Sequence, residues 1–108
     1  MREVDLTVFA AELANGAFVI DVLESDEYRV GHVPGAQPAP LPALGAVVSA
    51  LPGDRAVSVI CASGNRSRWA TEHLEALGVD AVPVTGGIAA RARAGHSLDH
   101  GAAAAESA

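Results

Sequence analysis

Positive charge, aromatic side chains and cysteine are all scarce in this chain, and each shortage excludes something. Seven Lys and Arg stand against 13 Asp and Glu, a formal net charge of −6. Nucleic acid and anionic membrane both reward a basic surface, so neither is expected as a partner, and a bound anion must be held by a local device. One Trp, one Tyr and two Phe in 108 residues leave the core to Val, Leu, Ile and Ala. That composition suits helices laid over a small parallel sheet. The single cysteine, Cys61, cannot close an internal disulfide. Its solitude agrees with a reducing compartment and excludes a self-contained C-x-x-C redox pair. No apolar run approaches the ~20 residues of a bilayer span. Nor does the chain open with the basic start, apolar stretch and cleavage site of a secretory signal. The expectation is one soluble, cytoplasmic α/β domain.

What is present reads as alternating helices and strands. Leu6, Phe9, Ala10, Leu13 and Ala14 recur at helical spacing, with Asp5 or Thr7 as N-cap and Gly16 as the stop. "AFVIDV" (17–22) is a strand with no polar face, carrying Asp21 near its C-terminal end. Ser25 opens a short helical turn through Tyr28, its acids placed at the favourable end. "GHVPGAQPAPLP" (31–42) is too rich in proline and glycine for a helix or an interior strand and predicts a surface loop. Leu44, Val47, Val48 and Leu51 predict an amphipathic helix closed by Pro52-Gly53-Asp54. "AVSVIC" (56–61) is the clearest strand, and a helix from Arg66 to Leu77 follows, with Trp69, Ala70, Leu74 and Leu77 as its expected buried stripe. "AVPV" (81–84), a Gly86-Gly87 turn and a short helix from Ile88 to Ala94 complete the pattern. The domain is therefore expected over 1–95, with 96–108, small and aperiodic, as a flexible tail.

The chemistry concentrates in "CASGNRSR" (61–68). Cys61 ends a parallel strand immediately before a helix, and ligand sites of open parallel sheets lie beyond those strand ends. Ala62, Ser63, Gly64 and Asn65 are small enough for the backbone to curl, aiming successive N–H groups inward as an anion nest. The helix N-terminus adds partial positive charge, and Arg66 and Arg68 add full charges. All of these favour a thiolate over a thiol and predict a reactive sulfur. The plain alternative is a small hydrophobe ending a buried strand.

This loop and its strand, "IDVLESDEYRVGHVPGA" upstream and "TGGIAARARAGH" downstream resemble, in that order, the blocks of the rhodanese domain. The resemblance covers most of the chain, from about the first helix to His96. It implies a three-layer α/β fold whose small central parallel sheet is flanked by helices, and a loop cysteine that carries sulfane sulfur as a persulfide. By that likeness Cys61 is the nucleophile, the loop from Ala62 to Ser67 cradles the persulfide or incoming anion, and Arg66 closes it electrostatically. Asp21 and the His32-Val33-Pro34-Gly35-Ala36 turn match architectural features of the family. The activity implied is thiosulfate sulfurtransferase-like transfer to cyanide, a small thiol or a protein thiol. A non-catalytic sulfur carrier or redox-sensing regulatory module on the same fold is the alternative. No metal or organic cofactor is implied. Cys61 and Arg66 are separated by four residues, Ala62 to Asn65, as in sulfur-transferring members. The related dual-specificity phosphatases carry one residue more, which widens the ring for phosphate. The chain departs from the family pattern at Leu23, often Arg; at Pro38, often Asn; at Arg91, often Trp; and at Ala62, where many thiosulfate users carry a charged or polar side chain.

Other candidates have plainer explanations. His96 and His100 have a metal-like spacing but lie in the expected tail with only Asp99 beside them. His73, four residues from Trp69, reads as a half-exposed helix histidine rather than a general base. "GGIAARARAG" lacks the spacing of a P-loop or a dinucleotide fingerprint and reads as a turn and a short basic helix.

Overall fold

The computed structural model describes residues 2–101. Among the described residues five α-helices and four strands alternate: α1 Leu6–Ala14, β1 Phe18–Asp21, α2 Ser25–Val30, β2 Gln37–Pro38, α3 Leu44–Val47, β3 Val57–Ile60, α4 Asn65–Ala76, β4 Ala81–Pro83 and α5 Gly87–Arg93. The strands form one sheet in the order β2-β1-β3-β4. Every pairing is parallel. Crossover helices cover both faces of such a sheet, which is why β3 is buried at every position and carries no polar alternation. One face packs Ile20, Val22, Val57 and Val59 against Leu44 of α3 and Leu74 of α4. The other packs Val19, Ile60 and Val84 against Phe9 of α1, with Ile88 of α5 at its margin. The three-layer α/β expectation is met.

The structure corrects several local expectations. Residues 31–42 are not wholly loop, for Gln37–Pro38 adds an edge strand beside β1. Proline is tolerated there because an edge strand has one side free of ladder bonds; the next residue, Ala39, donates to the Asp21 carbonyl at 2.7 Å. The amphipathic helix expected over 44–51 is broken into α3 flanked by 3₁₀ turns at Leu41–Ala43 and Val48–Ala50. In α1 only Phe9 is buried, while Asp5 caps the helix by accepting from the Val8 N–H at 2.9 Å.

The buried stripe of α4 is Ser67, Ala70, Thr71 and Leu74. Trp69 and Leu77, expected inside, are 53% and 50% exposed. Apolar spacing misled because two stripe positions are polar but satisfied. The Ser67 hydroxyl donates to the Gly64 carbonyl at 3.1 Å, and the Thr71 hydroxyl to the Ser67 carbonyl at 2.7 Å. Such back-bonding removes the desolvation cost of a buried hydroxyl. Trp69 stacks on His73 outside, with centroids 5.3 Å apart.

The segment that follows the boundary expected at residue 95 makes contacts of its own. The chain from His96 to Gly101 is tied back to the domain. His32 and Asp99 exchange two backbone hydrogen bonds, at 2.9 and 2.8 Å, and Gly101 N–H donates to the Arg29 carbonyl at 2.8 Å. Arg91 Nε donates to the Ser97 carbonyl at 3.0 Å, and His100 Nδ1 pairs with the Val30 carbonyl. Small polar composition predicts fraying, but backbone bonding does not depend on side-chain type. The remainder of the expected tail, 102–108, lies outside the described residues.

Candidate active site

Strand β3 delivers Cys61 to the C-terminal edge of the sheet, and the chain turns at once into α4. Gly64 occupies the N-cap position at φ 103°. A side chain strains there, and an added Cβ would also lie 3.2 Å from the Gly86 nitrogen. The turn places the sulfur among donors. Gly64 N–H donates to Cys61 Sγ at 3.0 Å and Ser67 N–H at 3.3 Å. The Ser67 hydroxyl oxygen lies 3.5 Å from Sγ. The sulfur thus accepts from N–H groups of the first turn of α4 that have no intrahelical partner, and it sits at the positive end of the helix dipole.

Burial pushes the Cys61 thiol up, but hydrogen bonds from the Ser67 side chain and from the amides of Ser67, Gly64 and Ser63 outweigh it and hold the thiol below its ordinary value. The Ser67 hydroxyl has one proton for two acceptors, the Gly64 carbonyl and the sulfur. A thiol donates to Oγ and leaves that proton on Gly64, whereas a thiolate draws it to sulfur. Among the expected loop residues, Ser63, Gly64 and Ser67 therefore supply the donors, while Asn65 is exposed and opens α4.

A second turn braces the loop from behind. Ile88 N–H donates to the Cys61 carbonyl at 2.8 Å, and Ala89 N–H to the Ala62 carbonyl at 2.9 Å. This contact requires Gly87. A Cβ there would fall on the Cys61 carbonyl oxygen and within 2.8 Å of the Ala62 carbonyl carbon. The Gly86-Gly87 pair, read from sequence as a tight turn, is also the seat of the cysteine loop.

Arg66 and Arg68 part company. Arg66 reaches Glu27 of α2 in a bidentate pair, Nη1 to Oε1 at 2.6 Å and Nη2 to Oε2 at 2.8 Å. The Arg66 hydrogen bonds pull the Glu27 carboxyl down to about 2, and Glu27 in turn raises Arg66. Arg68, expected to add charge to the loop, pairs with Glu3 on the exposed side of α4 and takes no part. Glu27 is the site residue that sequence reasoning missed. It reads as a helix-start acid, and Glu27 Oε1 does accept from Glu24 N–H at 2.9 Å. Its partner lies 39 residues away, so no local pattern announces the pair.

Asp21 and His32 are both buried. Asp21, wholly buried, ends β1 and accepts from Leu23 N–H at 2.8 Å through Oδ1, while Oδ2 has no hydrogen-bond partner. Burial pushes its carboxyl up to about 7, the Leu23 bond countering in part. His32 stacks on Tyr28 at 3.7 Å and pairs through Nδ1 with the Tyr28 carbonyl at 2.7 Å, while Tyr28 donates its hydroxyl to the Ala36 carbonyl at 3.0 Å. Together they lock the turn at 33–36 beneath α2. His96, His100 and Asp99 lie on the segment tied to α2, and among the described residues no group of three or more His, Cys, Asp or Glu is placed to hold a metal. No described helix is long and apolar enough to cross a membrane.

Comparison with known proteins bears on this geometry. A rhodanese-related protein from Thermoplasma volcanium superposes with a TM-score of 0.85 at 30% identity, covering 92% of this chain and 98% of its own. A rhodanese-like domain protein from Staphylococcus aureus gives 0.81 at 26% identity, covering 93% and 98%. A thiosulfate sulfurtransferase from Pseudomonas aeruginosa gives 0.79 at 27% identity, over 93% of this chain but 19% of that larger protein. The family model described as Rhodanese-like domain matches residues 5–94, which include the cysteine loop, its glycine seat and the Glu27–Arg66 pair, and the chain belongs to that family.

Proposed function

We propose that this protein is a sulfurtransferase that carries sulfane sulfur as a persulfide on Cys61. The observation that carries the reading is the sulfur's environment: Sγ accepts the amides of Gly64 and Ser67 at the start of α4. A thiolate so held is both a nucleophile and an anion already solvated by fixed dipoles. With thiosulfate as donor, the Cys61 thiolate attacks the outer sulfur, the S–S bond of the donor breaks, and its electron pair leaves with sulfite. The product, Cys61–S–S⁻, places negative charge one bond further out, ~2.05 Å from Sγ. The loop amides that supported the thiolate support this anion in turn. An acceptor nucleophile, cyanide, a small thiol or a protein thiol, then attacks the outer sulfur and returns the thiolate. Electrons balance without an external oxidant, and no cofactor is required.

Intact-mass measurement after incubation with thiosulfate or another sulfane donor tests this. A single-sulfur adduct is expected on the native chain and none on Cys61→Ser. An adduct that persists in the variant, or none in either, overturns the mechanism. Steady-state thiocyanate production from cyanide separates an enzyme from a carrier, since a carrier loads once and does not turn over.

A further inference from the structure

The sulfur cradle shares a wall with a groove. Ile88 and Ala89, which hold the carbonyls of Cys61 and Ala62, also line a cavity of about 380 Å³ beside the loop. That volume falls within the range of sites for small organic molecules. Leu23, Val30, Ile88, Ala92 and Leu98 line it, together with Ala62, the residue that follows Cys61 in the chain. Leu98 lies so near Gly31 that a Cβ there would be 3.3 Å from Leu98 Cδ1, and the His32–Asp99 backbone pair pins that segment in place.

Charge decides what fits. Among the described residues that line the groove, Glu27 is the single charged one, and both of its oxygens are taken by Arg66. A free dianion would shed its hydration against aliphatic side chains and meet no cation among those described residues. An apolar arm gains from the same surface. We infer that the preferred donor bears its sulfane sulfur on an apolar organic arm, an alkyl or aryl persulfide R–S–SH, with R lying in this groove and the outer sulfur at Cys61. This rests on the sulfur-transfer reading above. The Cys61 thiolate attacks the outer sulfur, the S–S bond of the donor breaks, and its electron pair leaves on R–S⁻. The proton stays with the transferred sulfur, giving Cys61–S–SH.

The test compares benzyl persulfide with glutathione persulfide, which share the reacting bond and differ in the arm, by the rate of single-sulfur loading of the full chain. The benzyl donor is expected to load faster by about tenfold or more. Ala92→Glu, at an exposed position of α5, is expected to cut that ratio by about tenfold. Val30→Glu, at a rim residue 77% exposed, is the second variant and is expected to act in the same direction. A ratio near one in the native chain, or one that neither variant moves, overturns the groove assignment. Absence of a Cys61 adduct with every donor, thiosulfate included, instead overturns the sulfur-transfer reading.

Discussion

Replacing Asp21 by Asn isolates one buried charge. In the fold this carboxyl is fully buried, has one hydrogen bond and one oxygen without a partner, and is pushed from 3.8 up to about 7. A raised acid pKa means that the folded state holds the proton more tightly than the unfolded chain. Stability from this group is therefore full below 3.8 and declines as pH rises, until the decline ends near 7. Between about pH 5 and about pH 8 this single group is expected to cost the native protein about 3 kcal/mol. Asn keeps the carbonyl oxygen that accepts from Leu23 N–H, cannot ionise and removes that slope. Its amide nitrogen inherits the unpartnered site, a cost of about 1–3 kcal/mol that does not vary with pH. Urea unfolding of both proteins at the two pH values measures the difference, and contributions common to both, including that of Cys61, cancel. Asp21→Asn should gain about 3 kcal/mol relative to the native chain on going from the lower to the higher pH. Parallel pH dependences would refute the assignment of a buried, near-neutral carboxyl at the end of β1.

Four further outcomes follow from the geometry. Gly87→Ala should abolish persulfide loading and destabilise the fold by about 2 kcal/mol or more, since its Cβ collides with backbone rather than with a movable side chain; loading assays and thermal melts read both. Ser67→Ala should raise the Cys61 thiol pKa and slow alkylation at neutral pH, as followed by thiolate absorbance against pH, because a donor to the thiolate is lost. Glu27, lowered from 4.5 to about 2, contributes stability above 4.5 that is lost as pH falls through 2. Glu27→Gln should accordingly shift the acid-unfolding midpoint upward, by a small amount because the pair is about one-third exposed. Ending the chain after Gly95 should lower stability by about 2 kcal/mol, read by denaturant unfolding, through loss of the His32–Asp99 bonds and of Leu98 over Gly31.

Local patterns in the sequence were sufficient for the α/β alternation, the parallel sheet, the strand that presents Cys61, and the glycines at 64 and 86–87. Each rests on contacts within a few residues: a β-branched run with no polar face, a cap, a small-residue turn before a helix. The loop donors at Gly64 and Ser67 follow from the same short stretch, because a chain that turns directly into a helix must aim its first N–H groups back toward the turn. Tertiary structure alone decided what spacing does not encode. Arg66 faces Glu27 while Arg68 faces Glu3, although the two arginines lie within one helical turn of each other. Pro38 finds an edge, Trp69 turns outward, and residues 96–101 close against α2. Asp21 becomes a near-neutral carboxyl only because folding takes it out of water with one oxygen left unpaired. Burial and long-range pairing are properties of the packed chain, and the residue's own neighbours in sequence carry no record of them.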